Sequence, residues 1–222
     1  MTHVKICSVQ AVDHALAAAD AGADFVGFNF VPGVRRRLER DAARSMVQEY
    51  RARHGKDGPR LVGIFADQPL EEVNRILTEC GLDMAQLSGQ EPISYALQVE
   101  RPVIKAVHIP TGRPRDQTID DLNRLLQELE ADDILPLLDP HVDGALGGTG
   151  ATFDWAIAEA LAPSHRFLLA GGLTPDNVAK AVERVRPWGV DVSSGVETGG
   201  TKDPEKIRAF IQNTRVEQGA HE

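Results

Sequence analysis

At 222 residues and 24.1 kDa, the chain is long enough to bury a full core, as one large domain or two small ones. Hydrophobic residues make up 42% and charged residues 26%, with no polar tract, which is the composition of a globular protein rather than a disordered one. The formal charge of −9 argues against a broad nucleic-acid surface, so any phosphate is expected to be held locally, by backbone N–H groups and a few cations.

Apolar runs and amphipathic segments alternate along the chain. "HVKIC" (3–7) predicts a short strand, and the alanine-rich "VDHALAAADAG" a helix closed by Gly22. "DFVGFNF" (24–30) is a second strand, followed by the loop "VPGVRRRL" and the helix "RDAARSMVQEYRAR". "PRLVGIFA" (59–66) leads into a helix with Pro69 suited to its first turn and Gly81 to its C-terminal cap. "MAQLS" (84–88) precedes a helix from about Glu91, and "PVIKAVHI" (102–109) is a fifth strand. The polar stretch 110–118 reads as a surface loop before the amphipathic helix "IDDLNRLLQELEA". "DILPLLD" (133–139) is a sixth strand despite Pro136, which fits only an irregular position. The helix "TFDWAIAEAL", the strand "HRFLLAGG", the helix "TPDNVAKAVERV", the strand "GVDVSSG" (189–195) and the helix "DPEKIRAFIQNTR" complete the pattern.

Eight strand–helix pairs at roughly 28 residues each leave little chain for a second domain. Near-continuous apolar strands such as "LVGIFA" fit a parallel sheet covered on both faces. The favoured architecture is a single α/β domain over residues 1–222, a (β/α)8 barrel with parallel strands inside and helices outside; a doubly wound open sheet shares the same alternation.

Two cysteines, Cys7 and Cys80, do not make a disulfide scaffold, and no spacing around them suggests a zinc site. The chain opens on a strand pattern without a charged-then-apolar leader, and no apolar run approaches the roughly 18–20 residues that span a bilayer. A reduced, cytoplasmic protein with neither nucleic-acid nor membrane partners is expected; monomer or homodimer stays open.

In parallel barrels the active site forms at the C-terminal strand ends. Those ends are Cys7, Asn29, Asp67, Ser88, His108, Asp139, Gly171–Gly172 and Ser193–Ser194–Gly195. Two glycine turns after strands seven and eight let backbone approach a ligand closely; one alone is more often a plain turn, but two in consecutive places favour a phosphate cup. The glycine loop 144–150 either covers the mouth or is an exposed linker. Cysteine among apolar residues is most often a small buried hydrophobe, yet Cys7 ends its strand with Lys5 two residues back on the same face. A nearby cation would lower the thiol pKa and make thiolate available as a base. Lys5 either faces the barrel centre or is solvated at its bottom. Asp139 ends an apolar strand, where burial raises a carboxyl pKa toward that of a neutral-pH general acid; it equally suits the start of a turn. Arg35–Arg37 are either a solvated run or place one guanidinium over an anionic substrate. His108 reads more as a packed or solvated histidine than a catalyst, and Cys80 as structural.

Taken together, "VKIC", "ADFVGFNFVP", "LVGIFAD", "AQLSGQE", "VIKAV", "LLD", "GGTGATFDW", "LAGGLTPDNV" and "GVDVSSGVE" resemble, in order and over nearly the whole chain, the phosphoribosylanthranilate isomerase family of tryptophan biosynthesis. That resemblance implies a barrel enzyme, without cofactor or metal, that performs an Amadori rearrangement of a phosphorylated aminoaldose. It implies Asp139 as general acid at the furanose ring oxygen and Cys7, as thiolate, as base at C2 of the sugar. It further implies Arg36 beside the anthranilate moiety, and Gly148, Gly150, Gly171, Gly172, Ser194 and Gly195 around the phosphate. The chain departs from the family pattern at Ser8, where glycine is usual, at Ser88, where histidine is usual, and in the absence of a Ser-Pro before the arginines. Other readings are a barrel isomerase for a different aminoaldose, against which the thiol at position 7 argues; a metal-dependent epimerase, whose His/Asp set is not assembled; and a non-catalytic phosphometabolite-binding barrel.

Overall fold

A computed structural model describes residues 1–55, 57–110, 112–140 and 155–215. Eight parallel strands close into a barrel in strict chain order: β1 (His3–Ile6), β2 (Phe25–Asn29), β3 (Arg60–Phe65), β4 (Met84–Leu87), β5 (Val103–Ile109), β6 (Leu135–Pro140), β7 (Leu168–Leu169) and β8 (Gly189–Val192). The seam closes through β8 and β1, with Val4 opposite Val190 and Lys5 opposite Asp191. Between them run α1 (Val12–Asp20), α2 (Arg40–His54), α3 (Leu70–Cys80), the single-turn α4 (Ile93–Ala96), α5 (Arg115–Ala131), α6 (Trp155–Leu161) and α7 (Val178–Val185), with α8 (Pro204–Thr214) last. The open-sheet alternative is thereby excluded.

The period-two pattern sorts side chains into two cores. Outward residues such as Val4, Ile6, Val26, Phe28, Leu61 and Leu138 pack against the helices. Inward ones, including Phe25, Val62, Met84, Ile104, Leu135, Leu137 and Leu168, fill the barrel as a separate apolar cluster. That filling is a floor, so a ligand reaches the C-terminal mouth but not the bore. Arg215, at the end of α8, donates to the Gly22 carbonyl after α1 and joins the last helix to the first.

Several predicted boundaries shift. Pro136 is the second residue of β6, opposite Lys105 on β5, an early position that tolerates its missing N–H. β7 is only two residues long because the chain turns away at Gly171 and Gly172, both at positive φ. β8 stops at Val192, and Ser194–Val196 form a short 3-10 turn rather than strand. A small antiparallel pair, β9 (Glu197–Thr198) and β10 (Thr201–Lys202), follows without having been predicted. α5 begins at Arg115, inside the predicted loop.

Candidate active site

One pocket at the C-terminal mouth gathers almost every strand end singled out from the sequence. Cys7, Ser8, Asn29, Arg36, Ser88, His108, Asp139, Gly171, Gly172 and Ser193–Gly195 all line it. Asp67 does not. Its carboxylate accepts the Gln90 N–H at 2.6 Å while its own N–H donates to Glu91, so it braces the loop after β4. Gly148 and Gly150 lie outside the described residues.

The carboxyl of Asp139 and the thiol of Cys7 enter this pocket from β6 and β1. Burial, and next the negative charge of Asp191, push the Asp139 carboxyl up to about 7, against the opposing effect of Lys5. A carboxyl so placed keeps its proton up to near neutrality and can donate it there. Burial also raises the Cys7 thiol, with Asp191 acting the same way. The expectation that Lys5 leaves the thiol depressed is therefore corrected: its charge pulls in that direction, but desolvation and Asp191 outweigh it.

Lys5 faces the barrel interior. Fully buried, it donates to Asp191 Oδ1 at 2.6 Å. Gly27 on β2 packs beside it: a Cβ there would meet Ile64 Cδ1 first, at 3.0 Å, and lie 3.4 Å from both the Lys5 Nζ and the Cys7 Cα. Ser8, held at φ 59°, places its hydroxyl 3.5 Å from the Cys7 sulfur and accepts from Asn29 Nδ2 at 3.4 Å.

The arginine run divides three ways. Arg37 pairs with Glu39 on the surface, Arg35 reaches Glu197 from an exposed position, and Arg36 lines the pocket. Two hydrogen bonds, of 2.7 and 3.0 Å, run from the Arg36 guanidinium to the two carboxylate oxygens of Glu197. Lys202, buried on β10, donates to the same carboxylate at 2.9 Å and to the Ser193 carbonyl at 2.8 Å. Burial alone would raise Glu197; hydrogen bonds from Arg36, Lys202 and Arg35 instead hold it at about 2. Three cations around one carboxylate leave this rim net positive, suited to an anionic ligand.

The two glycine turns meet beside this cluster: Lys202 donates to the Ser193 carbonyl, and Gly195 lies against the Leu173 carbonyl. The amides of Gly171, Gly172, Ser194 and Gly195 donate to no acceptor among the described residues, an arrangement that suits phosphate oxygens. Gly195 has no alternative, since a Cβ there would sit 1.9 Å from the Leu173 carbonyl oxygen. Gly195→Ala is expected to separate the two turns, lowering stability by about 1–3 kcal/mol and abolishing measurable affinity for a phosphorylated product analogue; urea denaturation and titration calorimetry check both.

Sequence reasoning missed Asp191, Glu197, Lys202 and Gln86. Asp191 had a signal, being the inward residue of β8 under strand alternation. Gln86, inward on β4, donates to Ser88 at 3.0 Å and leaves its buried Oε1 without a partner among the described residues. Among the described residues, no group of three His, Cys, Asp or Glu could hold a metal, and no helix is long and apolar enough to cross a membrane.

Residues 4–213 match the family model described as N-(5'-phosphoribosyl)anthranilate (PRA) isomerase. The N-(5'-phosphoribosyl)anthranilate isomerase of Roseiflexus sp. (strain RS-1) is 44% identical over 220 residues, covering 97% of this chain and 99% of that protein. The crystal structure of phosphoribosyl anthranilate isomerase from Thermotoga maritima superposes with a TM-score of 0.82 at 32% identity, over 96% of this chain and 98% of that one. A phosphoribosyl anthranilate isomerase in complex with reduced 1-(o-carboxyphenylamino)-1-deoxyribulose 5-phosphate superposes at 0.79 and 31% identity, with the same coverage. With its closed barrel and a match that spans nearly its whole length, the chain belongs to the N-(5'-phosphoribosyl)anthranilate isomerase family.

Proposed function

We propose that residues 1–222 form one catalytic barrel that converts N-(5'-phosphoribosyl)anthranilate to 1-(2-carboxyphenylamino)-1-deoxyribulose 5-phosphate, as a step of tryptophan biosynthesis. The observation that carries this reading is a protonatable carboxyl, Asp139, at about 7, sharing one pocket with the Cys7 thiol, the Arg36 guanidinium and two glycine turns whose amides have no acceptor among the described residues. An aldose-to-ketose shift needs one acid and one base at one sugar, with no net change in oxidation.

Asp139 donates its proton to the furanose ring oxygen while the anthranilate nitrogen lone pair forms a C=N bond to C1. The C1–O bond breaks and leaves a protonated Schiff base with a free C4 hydroxyl. Cys7, as thiolate, takes the C2 proton; the C–H electrons form C1=C2 and the iminium pair returns to nitrogen, giving an enolamine. Loss of the C2 hydroxyl proton and protonation at C1 then yield the ketone. Substrate and product are isomers, so no oxidant or reductant enters the balance.

Arg36 takes the substrate carboxylate, with Glu197 as its positioning residue. Glu197→Gln keeps the shape but removes the charge that orients Arg36. KM is expected to rise roughly tenfold with a smaller change in kcat, as for the loss of one charge-assisted hydrogen bond; steady-state kinetics separate the two.

The reading is tested by following the loss of anthranilate-type fluorescence when purified protein meets freshly generated phosphoribosylanthranilate in chelator-containing buffer. Rapid decay supports it. No decay, with a reduced product analogue still bound, replaces it with a phosphometabolite-binding barrel.

A further inference from the structure

Directly beneath the acid and the base, the apolar filling of the barrel is interrupted by one ion pair. Lys5 on β1 and Asp191 on β8 are register partners across the closing seam, and both point inward. Around and below them lie Phe25, Val62, Ile104, Leu137 and Leu168, all apolar. A buried pair of this kind is often no more stabilising than apolar residues of the same volume, so packing alone does not account for it. Its surroundings do. Asp191 borders the pocket itself, Lys5 lies beneath the Cys7 backbone beside Gly27, and the pair acts on both catalytic groups.

We infer that Lys5 and Asp191 are positioning residues that jointly set the pH range over which Cys7 and Asp139 work, each opposing the other. The inference rests on the acid–base roles proposed for those two groups. Asp191 disfavours the charged forms of Cys7 and Asp139, and Lys5 favours them. With the pair intact Lys5 offsets part of the Asp191 effect, and desolvation together with the remainder holds both groups high. Lys5 itself is disfavoured by burial, but Asp191 and Cys7 together outweigh that and keep it above its ordinary value, so the cation persists across the working range. The other charged or polar groups facing the thiol are Lys202 from β10, Arg36 from the loop after β2 and the Ser8 hydroxyl. On the Asp139 side the neighbour is His108, its register partner on β5. Lys202 and Arg36 are anchored by Glu197, and Ser8 by Asn29, so these groups remain in place when the Lys5–Asp191 pair is altered.

The pH profile of kcat/KM reads this out, measured for the full chain, for Asp191→Asn, for Lys5→Met and for the double variant. Asp191→Asn leaves Lys5 uncompensated, so both limbs are expected to move down by about one pH unit or more. Lys5→Met leaves Asp191 uncompensated, and both limbs move up. The double variant, neutral again, returns them toward the unmodified enzyme. A merely structural role lowers kcat and leaves the limbs in place, which overturns the inference, as does a shift in the same direction for both single variants. Thiolate absorbance in the ultraviolet, followed against pH in a Cys80→Ser background, gives the same signs without turnover and decides from whichever single variant folds. Absence of turnover in the unmodified enzyme would instead remove the proposed activity, while the thiolate titration would still report on the pair.

Discussion

Asp139→Asn should be catalytically crippled and, at pH 8, more stable than the unmodified protein. The first half follows from the proposed role: a general acid typically contributes roughly 10²–10⁴-fold, and an amide cannot deliver a proton to the ring oxygen. The second half follows from linkage. The carboxyl sits at about 7 in the fold against an ordinary 3.8, because burial and Asp191 disfavour its charge. Below about pH 4 it is protonated both folded and unfolded, and its charge has no bearing on stability. Between about 4 and 7 the unfolded chain ionises while the folded one holds its proton, so stability falls as pH rises and then levels off. Fully developed, this cost is on the order of 2–4 kcal/mol. The asparagine escapes it. Denaturant midpoints at pH 4 and 8 should show the variant drawing ahead only at the higher pH, while the fluorescence assay shows it inactive at both. Equal midpoints at pH 8 would mean that Asp139 is ionised without penalty and lacks the proton its role requires.

Cys7→Ala should lose roughly 10²–10⁴-fold in turnover, and Cys7→Ser as much, because a serine hydroxyl fills the site but does not ionise usefully. The pH profile of the unmodified enzyme carries the more specific expectation. The proposed mechanism needs Asp139 protonated and Cys7 ionised, yet the carboxyl sits at about 7 and the thiol above its ordinary 9. The working ionisation state is thus the minor one of the singly deprotonated enzyme. Its pH dependence is nevertheless a bell. The profile of kcat/KM should rise through about 7, as the pair loses one proton, and fall only above 9, as it loses the second. A profile that falls through 7 would show the thiol ionising before the carboxyl, the reverse of what their burial and the Asp191 charge dictate.

Much of the site was legible because strand alternation is local. Cys7, Asp139 and the glycine turns end apolar strands, and any parallel barrel puts such ends in one mouth. The family motifs then named the chemistry. Boundaries were less legible near the site itself: β7 and β8 end early where Gly171, Gly172 and the 3-10 turn take the chain out of the sheet to form the candidate phosphate edge. Asp67 looked equivalent to its neighbours, but its own loop captures it through Gln90 and Glu91.

The order of the elements, the face of each strand that points inward and the motifs that nominate Cys7 and Asp139 as base and acid were readable along the chain, because a two-residue period and a motif are both carried by neighbours in sequence. Closure of the barrel decided the rest. Lys5 and Asp191 are 186 residues apart and become a pair only when β8 meets β1. Arg36 and Glu197, 161 residues apart, join only when the loops after β2 and β8 share a rim. Desolvation and Coulomb energy depend on what surrounds a charge in space, so the apolar strand end foretold a raised Asp139 but only the tertiary structure brought Asp191 close enough to outweigh Lys5 at Cys7.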